Sequence, residues 1–261
     1  MRVGILAAGV GQRLNDRTLP PKILLSFGGE TLLARHITIL RRCGIRQVDL
    51  VVGFRAEEIA AELERIGARD MVTTRQNPDY EQGSIVSFWT LREAFNAGEP
   101  MVFMDGDVLY DQRLMASLLD SAHDNSFLMD RTIEEGEDPV KLCMRDGMLV
   151  DFHKRPRLAH DWWGEWIGFC RFDGNIARKV WAAADRHVAA GRRDVIYEDA
   201  IRDVVLAEPP KTFGVEDITG LPWVEIDFPE DLQKARREVF PSLVDLPSDA
   251  DLPRVASDAA R

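Results

Sequence analysis

The chain has 261 residues, 45% hydrophobic and 30% charged, the length and composition of an ordinary globular protein with one sizeable α/β core. Its formal net charge of −11 argues against nucleic acid as the main partner, because affinity for a phosphate backbone comes from clustered Lys and Arg that release counterions. Cys43, Cys143 and Cys170 lie far apart without C-x-x-C spacing, which argues against a zinc site and a disulfide framework and leaves buried, reduced thiols as the expectation.

No signal-type apolar region follows Met1-Arg2 and no later run approaches a membrane span, so a cytoplasmic location without membrane insertion is expected. The first element is an apolar run over 2–8 that reads as a strand and opens into Gly9-Val10-Gly11-Gln12-Arg13-Leu14, followed by Pro20-Pro21-Lys22. Glycines directly after a strand let backbone N–H groups approach phosphate closely, and Arg13 and Lys22 add two positive charges, so the loop favours a polyphosphate. The two prolines stiffen the approach to Lys22. A Walker loop requires Lys-Ser/Thr after its last glycine, where this chain has Gln12-Arg13. A dinucleotide fingerprint requires a third glycine or alanine and an acidic end to the second strand, which here ends Val51-Val52-Gly53-Phe54-Arg55. A nucleoside triphosphate suits the loop better than either alternative.

Helical spacing of Leu32, Leu33, His36, Ile37 and Leu40 predicts a helix over 31–42, followed by a buried strand over 48–52, a helix over 56–66 and a strand over 71–75. A helix over 84–97 begins with Ser84 as its cap, and a strand over 100–104 ends in the acidic turn Asp105-Gly106-Asp107. Strands alternating with helices imply right-handed crossovers and place ligands beyond the carboxyl ends of the strands, where the glycine loop and Asp105/Asp107 fall. In the second half, 141–144 and 148–152 flank Arg145-Asp146-Gly147, an Asp-Gly hairpin signal, and 166–172 reads as a further strand. Helices over 175–190 and 198–207, strands over 212–217 and 224–227, and a helix over 229–240 with Pro229 at its first position complete the pattern. The expected fold is Rossmann-like α/β, a mostly parallel mixed sheet flanked by helices, with an antiparallel region in the second half. One domain is expected over 1–240 and a mobile tail over 241–261, which is rich in Pro, Asp, Ser and Ala.

Five motifs in order carry a resemblance: Leu6 to Leu14 followed by Pro21-Lys22, Asn77-Pro78-Asp79-Tyr80, Gly83-Ser84-Ile85-Val86-Ser87, Met104-Asp105-Gly106-Asp107-Val108, and Trp223 to Leu232. Together they resemble the nucleotidyltransferase superfamily with a GT-A-like fold, and within it the branch that activates small phosphorylated alcohols with CTP, of the choline-phosphate cytidylyltransferase type. The resemblance implies that Leu6, Ala8, Gly9, Gly11, Arg13, Lys22, Gly83, Ser84 and Asp105 bind the nucleotide. It implies that Arg13 grips the β/γ-phosphates, that Lys22 acts at the α-phosphate, and that Asp107 and Asp227 hold Mg²⁺. Residue by residue, other readings stand beside these. An Asp in D-G-D also forms turns or caps, and Ser84 serves equally as a helix cap.

Lys154, after the hairpin, resembles the lysine that approaches the acceptor phosphate, with Lys141 assisting, while an exposed hairpin lysine is the general alternative. Glu165 and Asp199 lie in segments that resemble acceptor-binding parts of the family, so the antiparallel region is the implied acceptor site. The cluster Asp161-Trp162-Trp163-Gly164-Glu165-Trp166 combines aromatic faces with a carboxylate, a pairing suited to an ammonium group. Trp162, Trp163 and Trp166 serve equally well as core or dimer-interface residues, and a homodimer is compatible with either. A phosphomonoester is mostly dianionic at neutral pH, so transfer of its oxygen to an α-phosphorus needs no catalytic histidine, and the five histidines are left in structural or surface roles.

The expected activity is therefore Mg²⁺-dependent transfer of CMP from CTP to a small phosphorylated or phosphonylated (amino)alcohol such as choline phosphate, with release of pyrophosphate. The rivals are a sugar-1-phosphate nucleotidyltransferase using UTP or dTTP and a non-catalytic nucleotide-binding regulatory domain. Retention of Arg13, Lys22, Asp107 and Asp227 counts against the second.

Overall fold

The computed structural model describes residues 1–14, 16, 18–132 and 139–244, so the expected tail from 245 onward lies outside the described residues. Strand β1 (Arg2–Ala7) leads through helical turns at Gln12–Leu14 and Lys22–Leu24 to the short strands β2 (Ser26–Phe27) and β3 (Glu30–Thr31). There follow α1 (Leu32–Arg42), β4 (Val48–Val52), α2 (Ala56–Arg65), β5 (Val72–Gln76), α3 (Ser84–Trp89), α4 (Arg92–Phe95), β6 (Met101–Asp105), β7 (Val108–Tyr110) and α5 (Gln112–Leu119). The second half holds β8 (Ser126–Asp130), β9 (Lys141–Arg145), β10 (Met148–His153), β11 (Trp162–Phe172), α6 (Gly174–Ala189), α7 (Glu198–Ala207), β12 (Gly214–Asp217) and β13 (Trp223–Glu225). The last helix, α8 (Pro229–Lys234), continues through a wider π-type turn at Ala235–Val239 to Ser242.

The main sheet runs β10-β9-β11-β6-β1-β4-β5. Its β6, β1, β4 and β5 are parallel, as the alternating pattern requires, while β11, β9 and β10 each reverse direction relative to the strand before. Strand β8 pairs with β11 and carries β12 parallel beside it, so the antiparallel region of the second half is built on the edge of the parallel one. Period-2 alternation feeds two cores: Val102 and Met104 of β6 pack on one face with Leu33 and Leu114, and Met101 and Phe103 on the other with Phe88 and Phe95. The hairpin turn has the positive φ of 52° at Asp146 and 73° at Gly147 that an Asp-Gly turn between paired strands needs.

Four expectations change. The helix over 84–97 is two helices, because the Trp89 carbonyl accepts the Trp181 Nε1–H at 2.9 Å and the Thr90 hydroxyl bonds the Ser87 carbonyl at 2.7 Å, diverting the backbone ladder. Helix α5, capped by the Asp111 side chain, and strand β8 lie in a stretch that the pattern left unassigned. Strand β11 starts at Trp162 rather than 166. Position 241 does not begin a loose tail, since the Val244 N–H donates to Asp111 Oδ2 at 2.8 Å. Of the three thiols, Cys143 and Cys170 are buried and Cys43 only partly so.

Ser84 does not cap α3 either. Gly83 is its cap residue, and the Ser84 hydroxyl accepts the Tyr197 N–H at 3.1 Å. The Gly83 N–H donates to the Arg193 carbonyl at 2.8 Å and the Ile85 N–H to the Val195 carbonyl at 3.4 Å. Segment 193–197 thus straps the start of α3, and a Cβ on Gly83 would run into the Val195 carbonyl oxygen. Gly83→Ala is expected to cost about 1–3 kcal/mol of stability by overpacking; urea unfolding with an unchanged midpoint would show that the strap does not require glycine.

Candidate active site

The site begins with the turn between β6 and β7. The Gly106 N–H donates to the Leu6 carbonyl at 3.0 Å, and a Cβ at Gly106 would stand 2.6 Å from that same oxygen, so glycine lets the acidic turn lie against the end of β1. From below, the buried His36 ring stacks on Tyr110, and its Nε2 lies 3.0 Å from the Gly106 carbonyl. Burial pushes the His36 pKa down to about 4, so the ring is neutral and Nε2–H is the donor. His36 is thus a prop for the turn and has no part in proton transfer.

Asp107 emerges from this turn, and Asp227 stands two residues beyond β13, whose register with β7 brings the two segments together. The Asp231 carboxylate, in the first turn of α8, accepts the Asp227 and Phe228 N–H groups at 3.0 and 2.7 Å and fixes the backbone there. Carboxylate oxygens of Asp107, Glu225 and Asp227 lie within 4.8 Å of one another. Lys22 Nζ bridges two of them, at 3.0 Å from Asp107 Oδ2 and 2.5 Å from Asp227 Oδ1, and Arg13 reaches Asp227 Oδ2 at 2.9 Å while its guanidinium lies over the Phe228 ring. Burial works against the Lys22 charge, but the Asp107 and Asp227 carboxylates outweigh it and raise the pKa above the usual lysine range. Although Glu225 borders the open cavity, desolvation of its carboxyl and the Asp107 and Asp227 charges push its pKa up to about 8.

Three clustered carboxylates, two of them bridged by an ammonium, form a hard-oxygen donor set that fits Mg²⁺, and Lys22 Nζ stands in as the local cation. Asp107, Glu225 and Asp227 are the residues that would hold the metal. The Lys22 stem lies across Gly11, whose φ is +66° and whose Cβ position is 3.3 Å from Lys22 Cγ, so a side chain there would displace the lysine.

A cavity of about 940 Å³ opens over these groups, large enough for a nucleotide beside a small second substrate. Leu6, Ala8, Gly9, Gly11, Arg13, Lys22, Ser84 and Asp105 line it at the glycine-loop end, together with Asp107 and Asp227. Lys154, Glu165 and Trp166 line it on the antiparallel side. Asp105 is half-buried and accepts the Tyr197 hydroxyl at 2.6 Å; desolvation, then the nearby Asp107 and Glu225, raise its pKa well above the carboxylate range.

Five expected site residues do not line the cavity. Gly83 is spent on the strap. Lys141 lies beneath Lys154, donating from Nζ to the Lys154 carbonyl at 3.1 Å, and its ammonium sits 5.0 Å from the centre of the Trp163 ring. Trp162 is stacked under Arg131 at 4.6 Å, so the aromatic faces of Trp162 and Trp163 are covered by cations of the chain itself and no three-tryptophan cage forms. Trp166, by contrast, does line the cavity, though its ring packs against Phe127 and Phe152 and its Nε1–H donates to the Phe169 carbonyl at 2.8 Å. Asp199 turns away to pair with His153 at 3.3 Å.

Sequence reasoning missed Glu225, Tyr197 and Glu198. Glu225 carries a signal in retrospect, since it precedes Asp227 by two and strand alternation sends both side chains to one face. Glu198 rather than Asp199 faces the cavity, one residue along the same acidic pair.

A family model for the MobA-like NTP transferase domain matches residues 3–160. The bifunctional IPC transferase and DIPP synthase of Rubrobacter xylanophilus is 25% identical over 253 residues, covering 90% of this chain and 51% of that protein. The chain spans about half the length, or less, of the curated relatives it matches. Among solved structures, the inositol-1-phosphate CTP transferase from T. maritima superposes with a TM-score of 0.71 at 20% identity, covering 92% of this chain and 93% of that one. The CTP:phosphocholine cytidylyltransferase from Streptococcus pneumoniae gives 0.67 at 20% identity, covering 89% and 96%. At this identity the likeness establishes the fold, a central mixed sheet flanked by helices. Among the described residues no helix is long and apolar enough to cross a membrane.

Two outcomes follow from the geometry. Lys22→Met removes the internal cation, so Mn²⁺ alone, followed by electron paramagnetic resonance, is expected to bind roughly fivefold or more tightly than to the parent chain; equal or weaker binding refutes the stand-in role. The His36 pKa is lower folded than unfolded, so its contribution is intact above pH about 6.5 and lost as pH falls toward 4, by up to about 1.4 kcal/mol per pH unit. Urea unfolding at pH 7 and pH 5 should show a smaller loss in His36→Gln than in the parent.

Proposed function

The chain belongs to the MobA-like NTP transferase family, and from that premise we propose that it is a Mg²⁺-dependent cytidylyltransferase that joins CMP to a small phosphorylated or phosphonylated alcohol. The unit proposed to do this is 1–240. One observation carries the reading: the glycine loop, the carboxylate triad and Lys154 open into a single cavity with room for two substrates. The CTP-dependent neighbours support the choice of base, as does the order of the five sequence motifs.

Arg13 is positioned to grip the outer phosphates, with Gly9 and Gly11 leaving the backbone N–H groups accessible. Lys22, released from Asp107 and Asp227, serves the α-phosphate, where charge grows as the new bond forms. Magnesium, when bound by Asp107, Glu225 and Asp227, supplies the charge that offsets the triphosphate. Lys154 holds the acceptor's phosphate. One of its oxygens attacks the α-phosphorus, the bond to the β-phosphate oxygen breaks, and pyrophosphate leaves with the electron pair. The acceptor oxygen is already ionised at neutral pH, so no side chain need remove a proton.

The test is pyrophosphate release with each of CTP, UTP, dTTP and GTP against a panel of phosphate acceptors in the presence of Mg²⁺. CTP is expected to lead, and Asp107→Asn and Asp227→Asn are expected to lose turnover while remaining folded. Preference for another triphosphate overturns the choice of base, and near-parental rates in either variant remove that carboxylate from the metal site.

A further inference from the structure

The cavity must accept two anions, yet its described wall carries eight carboxylates against four basic side chains. Three of the acids belong to the metal triad. Asp105 is held by the Tyr197 hydroxyl, and Asp231 by two backbone N–H groups. The remainder, Asp130, Glu165 and Glu198, line the same cavity as Lys154. Glu165 of β11 is the register partner of both Asp130 on β8 and Lys141 on β9, and Lys141 supports the Lys154 carbonyl.

Glu198 stands out among the three. Asp130 accepts the Trp223 Nε1–H at 2.7 Å and the Thr132 N–H at 2.7 Å. Glu198 is only 8% exposed and borders the cavity, and its Oε2 has no hydrogen-bond partner among the described residues. An orphaned buried carboxylate oxygen costs stability unless something binds it. Its position is rigid, because the preceding Tyr197 ring stacks on Phe88 at 5.4 Å and its hydroxyl is tied to Asp105. Lys154 is the cation whose charge acts on Glu198, so a phosphate-binding group and a cation-binding group stand side by side, with the Trp166 and Trp223 rings also on the cavity wall.

We infer that the acceptor carries a cationic ammonium head group, bound by Glu198 with Glu165 beside it, and that its phosphate or phosphonate end rests on Lys154. This rests on the cytidylyltransferase reading for the reaction but not for the base. A neutral polyol phosphate would bring its negative charge to an acidic wall and supply no cation for the orphaned Glu198 oxygen. An amino-alcohol phosphate matches both ends of the subsite.

The experiment compares phosphocholine and 2-aminoethylphosphonate with glycerol 3-phosphate and inositol 1-phosphate, in the parent chain and in Glu198→Gln, with whichever triphosphate the enzyme uses. The cationic acceptors are expected to have the higher kcat/KM. In Glu198→Gln their KM should rise about tenfold or more, while the nucleotide KM and the rates with neutral acceptors change little. Glu165→Gln provides a second variant should Glu198→Gln fail to fold. Parent preference for a neutral acceptor, or equal loss for both classes in the variants, overturns the inference. Absence of turnover with every pair would count against the proposed reaction instead, and calorimetric binding of the same four acceptors to the nucleotide-loaded chain would still decide the head group.

Discussion

Three carboxyl groups with oxygens inside 4.8 Å of one another cannot all ionise freely against their mutual repulsion, and the rest of the molecule is arranged so that they can nevertheless be held there. The Lys22 ammonium neutralises part of that repulsion from the centre and Arg13 from the rim. Partial burial of Lys22, Asp107 and Asp227 makes the compensation effective, because the same ions in open water would be screened. The arrangement is a stored polarity, with cations drawn toward the acids and available to a more highly charged partner.

Holding this cluster requires rigid backbone on both sides, and the fold supplies it by different means. On one side, the parallel register of β1 and β6 sets Gly106 against Leu6, and a neutral histidine supports the turn from within the core. On the other, the β7–β13 pairing and the Asp231 cap fix the segment that carries Asp227. Neither device touches a substrate. The antiparallel extension is joined to this frame through β11, which pairs with β6, β8 and β9 at once and so couples the antiparallel wall of the cavity to the glycine-loop end.

How much was legible in the sequence followed the range of the physics involved. The parallel half was readable because strand burial and helical spacing are local signals, and the glycine loop because its chemistry is written in consecutive residues. Asp107 and Asp227 were readable only through their motifs, since nothing local says that positions so distant will meet. Strand β11 was misjudged at its start because Trp162 and Trp163 look like a binding cluster when their neighbours are unknown, and Arg131, just past β8, and Lys141 of β9, which cover them, are distant in the sequence. Gly83-Ser84 was ambiguous for a similar reason. Glycine before a helix suits a phosphate or a packed strap, and only segment 193–197 distinguishes the two. Tyr197 and Glu198 were invisible because their roles come from burial against Asp105 and Phe88.

The contact between Lys22 and Asp227 spans 205 positions. At about 5–20 residues per second of synthesis, the carboxylate leaves the ribosome roughly 10–40 s after the lysine. During that interval the parallel half can already pack, with Lys22 beside Asp107 alone. The carboxylate cluster therefore closes only once β13 has been made, and a nascent chain that stops short of β13 carries the glycine loop and Asp107 without Glu225 and Asp227. The Lys22–Asp227 ion pair is in this sense a record that the chain has been made through β13, held between residues 205 positions apart.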